Sequence, residues 1–377
     1  MKKLLLATII SLTFSLSLSA FAWSGLIDNT TKATENHDFS VMGLNQGNGI
    51  YFSLSHNLSE NGSLRLAAEG LYKYSLYCDM KTNKFVFKNI ADLDLLKFTG
   101  DWTLGKGTLS LNAGRFQYQD YSSAVFSQLS DGLYLSYNAL KFKTSLYAGY
   151  TGLLNRLDVS MVENESKEED QFYALCPGYI PVAADFAYKA LFGTNTAGLQ
   201  AACYIPVSEK NKIKGYGTLI MNGYFGTIGS YDARVTVGTE KFENLMLDAK
   251  LDTNFYLLSS LMLTLGGEYV SGEQGSIKPF VTLTARSFGC APVYNGVIVP
   301  KAGLLFAAGN FYGSVTERVI LTMPKEEVKL AGFDTALSLA WNVFSDVRLA
   351  CDAGAYICTE KKELSNYYAS LKASLAF

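Results

Sequence analysis

Apolar and polar side chains alternate along most of this chain. In residues 64–76, most even positions are leucine, alanine or tyrosine, whereas Arg65, Glu69 and Lys73 lie at odd positions. Successive side chains of a β-strand point to opposite faces, so a period of two predicts a strand with one apolar and one polar face. The same alternation recurs in residues 141–150, 245–252, 277–286, 333–343 and 347–357. The pattern therefore predicts an all-β protein.

The length of these segments favours a membrane barrel over an exported β-sandwich, which also alternates. Strands in globular proteins average about 5–6 residues, whereas the segments here reach the roughly 9–11 residues that a tilted strand needs to cross a bilayer. The chain holds 24 tyrosines and 23 phenylalanines. Many lie toward the ends of predicted strands, as interfacial aromatic residues do in barrels; these are Tyr51, Phe52, Tyr72, Tyr74, Tyr150, Tyr269, Phe333 and Tyr367.

The strand count follows from alternating short turns and longer connections. Short periplasmic turns are predicted at residues 57–62, 104–107, 138–140, 208–212, 239–243, 271–275, 307–310 and 344–346. Outer connections are predicted at residues 77–92, 116–130, 152–197, 226–230, 287–296, 324–329 and 358–365. This division gives a transmembrane antiparallel up-and-down β-barrel of about 16–18 strands, with residues 39–46 as a weak first strand after a leader. A barrel of this size encloses a water-filled lumen.

Both ends of the chain indicate export. Residues 1–22 combine Lys2 and Lys3, an apolar stretch and an Ala-Phe-Ala sequence, which predicts a signal peptide cut before Trp23 and leaves residues 23–377 as one barrel domain. The alternating last strand, residues 366–377, closes on Phe377. An aromatic terminal residue on such a strand resembles the terminal signature of bacterial outer-membrane β-barrels, which implies an outer-membrane location and contact with lipid and the assembly machinery.

A second resemblance lies in residues 114–137, GRFQYQDYSSAVFSQLSDGLYLSY. A strand ending in Gly-Arg, an aromatic and acidic loop, and a Leu/Tyr strand opened by Asp-Gly resemble porin-like barrels, including the alginate-export and related substrate-channel families. The resemblance implies that this loop narrows the lumen, with Arg115, Asp120 and Asp131 as candidate constriction residues. Local turn chemistry also explains Gly114 and the Asp131-Gly132 pair, so both interpretations stay open.

The polar faces of the predicted strands carry charges of both signs. Candidate pore-lining residues are Arg65, Lys73, Lys141, Lys143, Lys250, Lys278, Arg286 and Arg348, opposed by Glu69, Asp248, Asp252, Glu268, Asp334 and Asp352. Solvation of an aqueous pore explains such a face without any selectivity. A slight excess of cations would favour anions weakly if it lined the narrowest section.

The connection at residues 152–197 is predicted to be the longest. It contains an acidic run at residues 163–170, interpreted as solvated surface because it lacks the ligand spacing of a calcium loop. Residues 182–192 have nearly helical apolar spacing, so a short helix over the pore is an alternative there. No metal or cofactor site is expected.

Six cysteines in an oxidising compartment permit disulfides. Cys176 with Cys290 is the candidate pair, whereas Cys203 and Cys351 should face lipid. Catalysis is not expected, because the histidines are limited to His37 in the leader and His56 near a periplasmic strand end, and no catalytic motif is present.

Together these features predict a passive outer-membrane channel for small hydrophilic solutes. Two alternatives remain: a surface-binding or structural barrel with an occluded lumen, and a substrate-specific uptake or export channel. Nucleic acid is not an expected partner, and self-association into a homo-oligomer is left open.

Overall fold

The computed structural model describes residues 21–36, 42–162, 172–208, 212–323 and 327–377. They form 18 strands: β1 (Ala22–Asn36), β2 (Met42–Asn57), β3 (Leu64–Asp79), β4 (Lys84–Leu104), β5 (Gly107–Gln119), β6 (Ser127–Asn138), β7 (Phe142–Tyr150), β8 (Tyr179–Leu191), β9 (Asn195–Pro206), β10 (Lys214–Tyr224), β11 (Gly229–Glu240), β12 (Met246–Leu258), β13 (Leu261–Val270), β14 (Val297–Ala308), β15 (Phe311–Thr322), β16 (Lys329–Asn342), β17 (Val347–Cys358) and β18 (Asn366–Ala376). A short 3₁₀-helix, Lys362–Leu364, precedes β18.

The strands form one closed antiparallel barrel. Each strand pairs with the next in the chain, and β18 returns to pair with β1 in a register that joins Leu26 to Ala376. The backbone of Phe377 completes this seam, since its N–H and carbonyl bond with Gly25 at 3.0 and 2.8 Å. The predicted up-and-down barrel is confirmed, with 18 strands, the upper end of the expected range.

The outward face of the barrel is apolar. Large side chains that alternate with inward polar residues are exposed there, including Leu133, Leu146, Leu199, Leu219, Leu251, Leu304, Leu349 and Leu371. Exposed aromatic residues lie near strand ends, among them Trp23, Phe192, Tyr224 and Phe344. This distribution matches the apolar band and aromatic girdles of a barrel that crosses a bilayer. Among the described residues, no helix is long and apolar enough to span a membrane.

The N-terminal part of the chain differs from the prediction. Residues 22–36, expected to be a leader, form the full-length strand β1, and the expected weak strand at residues 39–46 overlaps the start of β2. Paired on both sides by β2 and β18, β1 needs little apolar character of its own to be held in the sheet. The signal-peptide prediction falls almost entirely on residues 1–20, and His37 also lies outside the described residues.

A missed strand accounts for the main topological error. Residues 179–191 form β8, but they fall inside the single long connection predicted at 152–197, where a short helix at residues 182–192 was the alternative. A short turn at residues 192–194 joins β8 to β9. Conversely, residues 277–286 were predicted to be a strand but belong to the connection between β13 and β14. The turns between these two errors are therefore assigned to the wrong ends of the barrel; these are 208–212, 226–230, 239–243 and 271–275.

Several predicted connections are also shorter in the structure. Residues 77–92 are mostly strand, with β3 and β4 joined through residues 80–83, and the loop predicted at 116–130 is confined to 120–126. The remaining long connections, at residues 151–178 and 271–296, lie at the same end of the barrel as 120–126, as the up-and-down order requires. These three are called the inward connections below.

Candidate functional site

The three inward connections bind one another inside the barrel. Residues 120–126 and 271–296 meet where the carbonyl of Val125 accepts hydrogen bonds from the N–H groups of Leu283 and Thr284, at 2.8 and 3.1 Å. The carbonyl of Leu283 in turn accepts a bond from the N–H of Val162, at 2.9 Å. The backbone of residues 277–286 thus forms hydrogen bonds with neighbouring connections, and these residues do not form a strand of the barrel wall.

Aromatic side chains pack these connections against one side of the barrel. Tyr118 of β5 and Tyr147 of β7 stack with their ring centroids 3.5 Å apart, and Phe126 packs on Tyr204 of β9 at 5.8 Å. The hydroxyl of Tyr216 on β10 donates to the carbonyl of Val281, at 2.7 Å. The interior along β5–β10 is therefore packed core.

Asp120, a predicted constriction residue, organises the shortest inward connection. Its carboxylate accepts hydrogen bonds from Ser122 Oγ at 2.5 Å, from the N–H of Phe126 at 2.9 Å and from the hydroxyl of Tyr204 at 3.1 Å. Burial raises the pKa of Asp120, while these three donors oppose that rise. The Asp120 side chain is buried and accepts three hydrogen bonds, so it stabilises the conformation of residues 120–126.

Arg115 and Asp131 form a bidentate pair on β5 and β6. Arg115 Nε and Nη2 donate to the two oxygens of Asp131 at 2.8 and 2.9 Å, and Nη1 donates to Asp92 of β4 at 3.2 Å. Nη2 also donates to the carbonyl of Leu153, at 2.9 Å. Arg115 thereby attaches the connection 151–178 to three strands. The structure brings the predicted pair together, and its role in setting the constriction stays a prediction.

The neighbouring Gly114 explains how Arg115 reaches these partners. Its φ of +111° lies in a region that residues with a Cβ rarely adopt, and a Cβ here would overlap the carbonyl of Leu96. Arg115 and Phe116 are both buried, so strand alternation is broken at this glycine. Gly114 therefore serves close backbone approach rather than a bulge, because the pairing of β5 with β4 and β6 stays in register through it.

Residues 271–296, which connect β13 to β14, are called the crossing segment below. They contact several strands inside the barrel. At one side, Arg286 Nη1 lies 3.4 Å from Glu268 of β13 and 3.8 Å from Asp248 of β12, and it donates to the hydroxyl of Tyr294 at 3.1 Å. Arg234 of β11 lies 3.4 Å from Asp248 and 3.2 Å from Glu268. Two arginines therefore neutralise two buried carboxylates, and Arg286 is the member that comes from the crossing segment.

Further along the chain, the crossing segment is attached to Asp334 of β16, which is three strands from β13 around the barrel. This buried carboxylate accepts from the N–H of Cys290 at 2.7 Å and from Arg318 Nη1 of β15 at 2.7 Å. Gly289 adopts a φ of +59°, and a Cβ there would overlap the carboxylate. Asn366 Nδ2 of β18 donates to the carbonyl of Cys290, at 3.0 Å. The segment is therefore attached to β12–β13 at one point and to β16 and β18 at another.

Cavities remain between the inward connections and the strands at the barrel seam. One of about 300 Å³ lies against β1–β4; its lining includes Asp28, Lys73, Lys88 and Asp158. Another of about 390 Å³ lies between the crossing segment and the seam; its lining includes Lys32, Glu35, Cys290 and Tyr368. Charges of both signs thus face the space that the connections leave open.

The pore-lining candidates occupy several kinds of position. Lys73 binds Asp158 at 2.7 Å, Lys250 lies 3.0 Å from Asp252, and Arg65 lies 3.4 Å from Asp101. Arg348 and Lys143 lie over the rings of Tyr312 and Tyr134, with 5.2 and 6.0 Å to the ring centroids. All five are on the polar, inward side of their strands. Lys141 is instead exposed in the turn between β6 and β7, and Lys278 and Arg286 lie on the crossing segment rather than on a strand.

Sequence reasoning missed several interior charges. Lys301 of β14 lies 2.9 Å from Asp252, and Arg234 and Arg318 complete the carboxylate clusters described above. Strand alternation would have found Lys301 and Arg234, since each lies between apolar outward residues, whereas Arg318 follows Glu317 and is less evident. Alternation could not have indicated Asp158, because this residue lies in a connection and its partner, Lys73, is more than eighty residues away in the sequence.

The cysteine prediction is only partly met. Cys176 and Cys290 are not joined by a disulfide, nor is any other pair among the six cysteines, all of which the structure describes. Alternation along β9 and β17 places Cys203 and Cys351 on the outward face, as predicted. His56 lies at the end of β2, with its ring centroid 4.8 Å from that of Phe21.

Comparison with solved structures identifies the same barrel in other proteins. Pseudomonas aeruginosa OccK7 (OpdD) superposes with a TM-score of 0.67 at 12% identity, over 96% of this chain and 99% of that one. OpdK of the same organism, solved with vanillate, gives 0.63 at 10% identity, over 96% and 99%. Its outer membrane protein OprD gives 0.59 at 10%, over 95% and 93%.

These matches show a porin-like outer-membrane barrel fold over nearly the whole chain. No protein-family model matches the sequence. No curated protein matches it either.

Proposed function

We propose that this chain is a channel of the bacterial outer membrane, through which small hydrophilic solutes diffuse passively. The apolar outer face and the terminal strand closed by Phe377 support the location. The barrel fold shared with OccK7, with OpdK, which was solved with vanillate, and with the outer membrane protein OprD supports the proposal.

The crossing segment is the observation that carries the proposal. It is anchored to Glu268 of β13 and to Asp334 of β16, and its backbone bonds to Val125 and Val162 of the other two inward connections, so its place inside the barrel is fixed. The cavity beside it is lined mainly by charged and polar residues. A narrow, charged opening in an 18-strand barrel selects solutes by size and by charge.

The charge pattern favours modest ion selectivity. Most interior cations lie beside a carboxylate, as Lys73 lies beside Asp158 and Lys301 beside Asp252, so their fields largely cancel. The stacked tyrosines that a substrate-specific channel would present to its solute are buried here, with Tyr147 only 2% exposed. A general small-solute channel is therefore the function that the geometry supports best.

Solute flux into liposomes tests the proposal. The refolded protein, checked for heat-modifiable migration, is reconstituted into liposomes, and swelling is followed in isosmotic sugars and amino acids of increasing mass. Protein-free liposomes are the control. The proposal expects swelling rates that fall steeply with solute size. Folded protein that gives no more swelling than the control would refute transport and favour the alternative of an occluded barrel that binds partners through its surface connections.

A further inference from the structure

Four carboxylates and two cations surround the point where β4 meets the connection 151–178. Carboxylate oxygens of Asp92, Asp94 and Asp158 all lie within 4.8 Å of one another. Lys73 binds Asp158, and Arg115 binds Asp92 while also holding Asp131 with two hydrogen bonds. Counting Asp131, this group carries two more negative than positive charges.

Two oxygens of this group are buried without a donor. Asp92 has only 1% of its side chain exposed, and its Oδ1 accepts from Arg115 and from the N–H of Leu93 at 2.7 Å. Asp92 Oδ2 and Asp94 Oδ1 accept no hydrogen bond from any described residue. A buried carboxylate oxygen with no partner carries a large desolvation cost, so these atoms require a cationic or protic ligand.

We propose that Asp92, Asp94 and Asp158 bind a calcium ion that joins the connection 151–178 to the barrel wall. Calcium takes six to eight oxygen ligands at about 2.3–2.6 Å, so two of its ligands lie at most about 5 Å apart, and three oxygens within 4.8 Å of one another can reach one ion. Magnesium requires about 2.1 Å and strict octahedral geometry. The ion would also balance the two excess negative charges, with water completing its coordination.

The residues of this site come from different parts of the chain, which is why sequence spacing gives no sign of it. Asp92 and Asp94 are two residues apart on β4, and Asp94 lies at a register shift, where Glu69 and Gly70 of β3 pair with Leu95 and Leu93. Asp158 reaches them from the inward connection and lines the 300 Å³ cavity, which provides a path for the ion. The site stands independently of the proposed transport, because its occupancy is measured by binding rather than by flux.

Calorimetric titration with CaCl₂ tests the site. Chelator-treated, refolded full-length protein should bind Ca²⁺ saturably with a dissociation constant of about 10⁻⁴–10⁻³ M, the range of extracellular calcium modules. Asp94→Asn and Asp158→Asn, on two separate elements, should each weaken binding at least tenfold. Asp352→Asn is the matched control, because Asp352 is an interior carboxylate on β17 that accepts from Ser338 Oγ at 2.5 Å.

Folding of every variant is verified by heat-modifiable migration, and using two variants keeps the test decisive if one fails to fold. Absence of saturable binding to the wild-type protein would overturn the proposal and leave protonation of the carboxylates as the explanation. Equal binding by the wild type and a folded Asp94→Asn or Asp158→Asn variant would overturn the assignment to these residues. Binding of Mg²⁺ as tight as that of Ca²⁺ would contradict the choice of ion.

Discussion

Replacing Arg286 by alanine should loosen the crossing segment without unfolding the barrel. Arg286 is the only described residue of that segment that contacts Asp248 and Glu268, and 22% of its side chain is exposed. Removing one partner from a fully buried ion pair costs about 3–5 kcal/mol. Here Arg234 still contacts both carboxylates and Arg286 is partly exposed, so we take the loss as that of one charged hydrogen bond, about 2 kcal/mol.

A change of about 2 kcal/mol multiplies the population of the released segment by roughly 30. The bonds from Cys290 to Asp334 and from Tyr216 to Val281 remain, so release should be transient. Single-channel recording of the Arg286→Ala variant should show frequent brief steps to higher conductance. Arg286→Lys should show fewer, and Arg348→Ala, which removes a cation that lies over Tyr312 of β15 and outside the crossing segment, should show none. A folded Arg286→Ala variant with wild-type conductance and noise would refute the role of Arg286 in holding the crossing segment.

Three further changes probe the outer face, the seam and the crossing segment. Leu199→Arg places a charge on the outward face of β9, where the wild-type side chain is 59% exposed. This change should lower the free energy of unfolding in lipid vesicles, measured by denaturant titration, by about 2–4 kcal/mol. Thr30→Arg, on the inward face of β1, should lower it much less. Deleting Phe377 removes its bonds to the seam and its ring contact with Trp23 at 6.3 Å, and should lower the yield of heat-modifiable barrel severalfold. Burial, reinforced by Asp334, raises the pKa of Cys290 to about 11, so its alkylation rate should climb as pH rises toward that value rather than level off near 9.

The barrel was predictable because its determinants are local. Alternation in β3, β7, β12, β16 and β17 is a property of each segment alone, and Phe377 and its strand mark the closing seam. The error at residues 277–286 arises because alternation does not reveal what a strand pairs with. Residues 277–286 alternate because one side packs on Tyr216 and its neighbours, while their backbone bonds to other connections.

The interior site was less predictable because it depends on distant contacts. Arg115 and Asp131 were found from a local segment, and they do pair. The attachment of the crossing segment to Asp334, and the meeting of Asp158 with Asp92, join residues far apart in sequence whose proximity depends on barrel curvature and connection length. Because β8 was missed, the four predicted turns that follow it were assigned to the wrong end of the barrel.

The central claim, an open channel narrowed by the crossing segment, is tested most directly by single-channel conductance of the wild-type protein in a planar bilayer. The reversal potential across a salt gradient is recorded in the same experiment. The account predicts stable ohmic openings with a conductance below that of an unobstructed 18-strand barrel, and a reversal potential close to zero because interior charges are largely paired. A correctly folded, heat-modifiable protein that inserts but passes no current would contradict it.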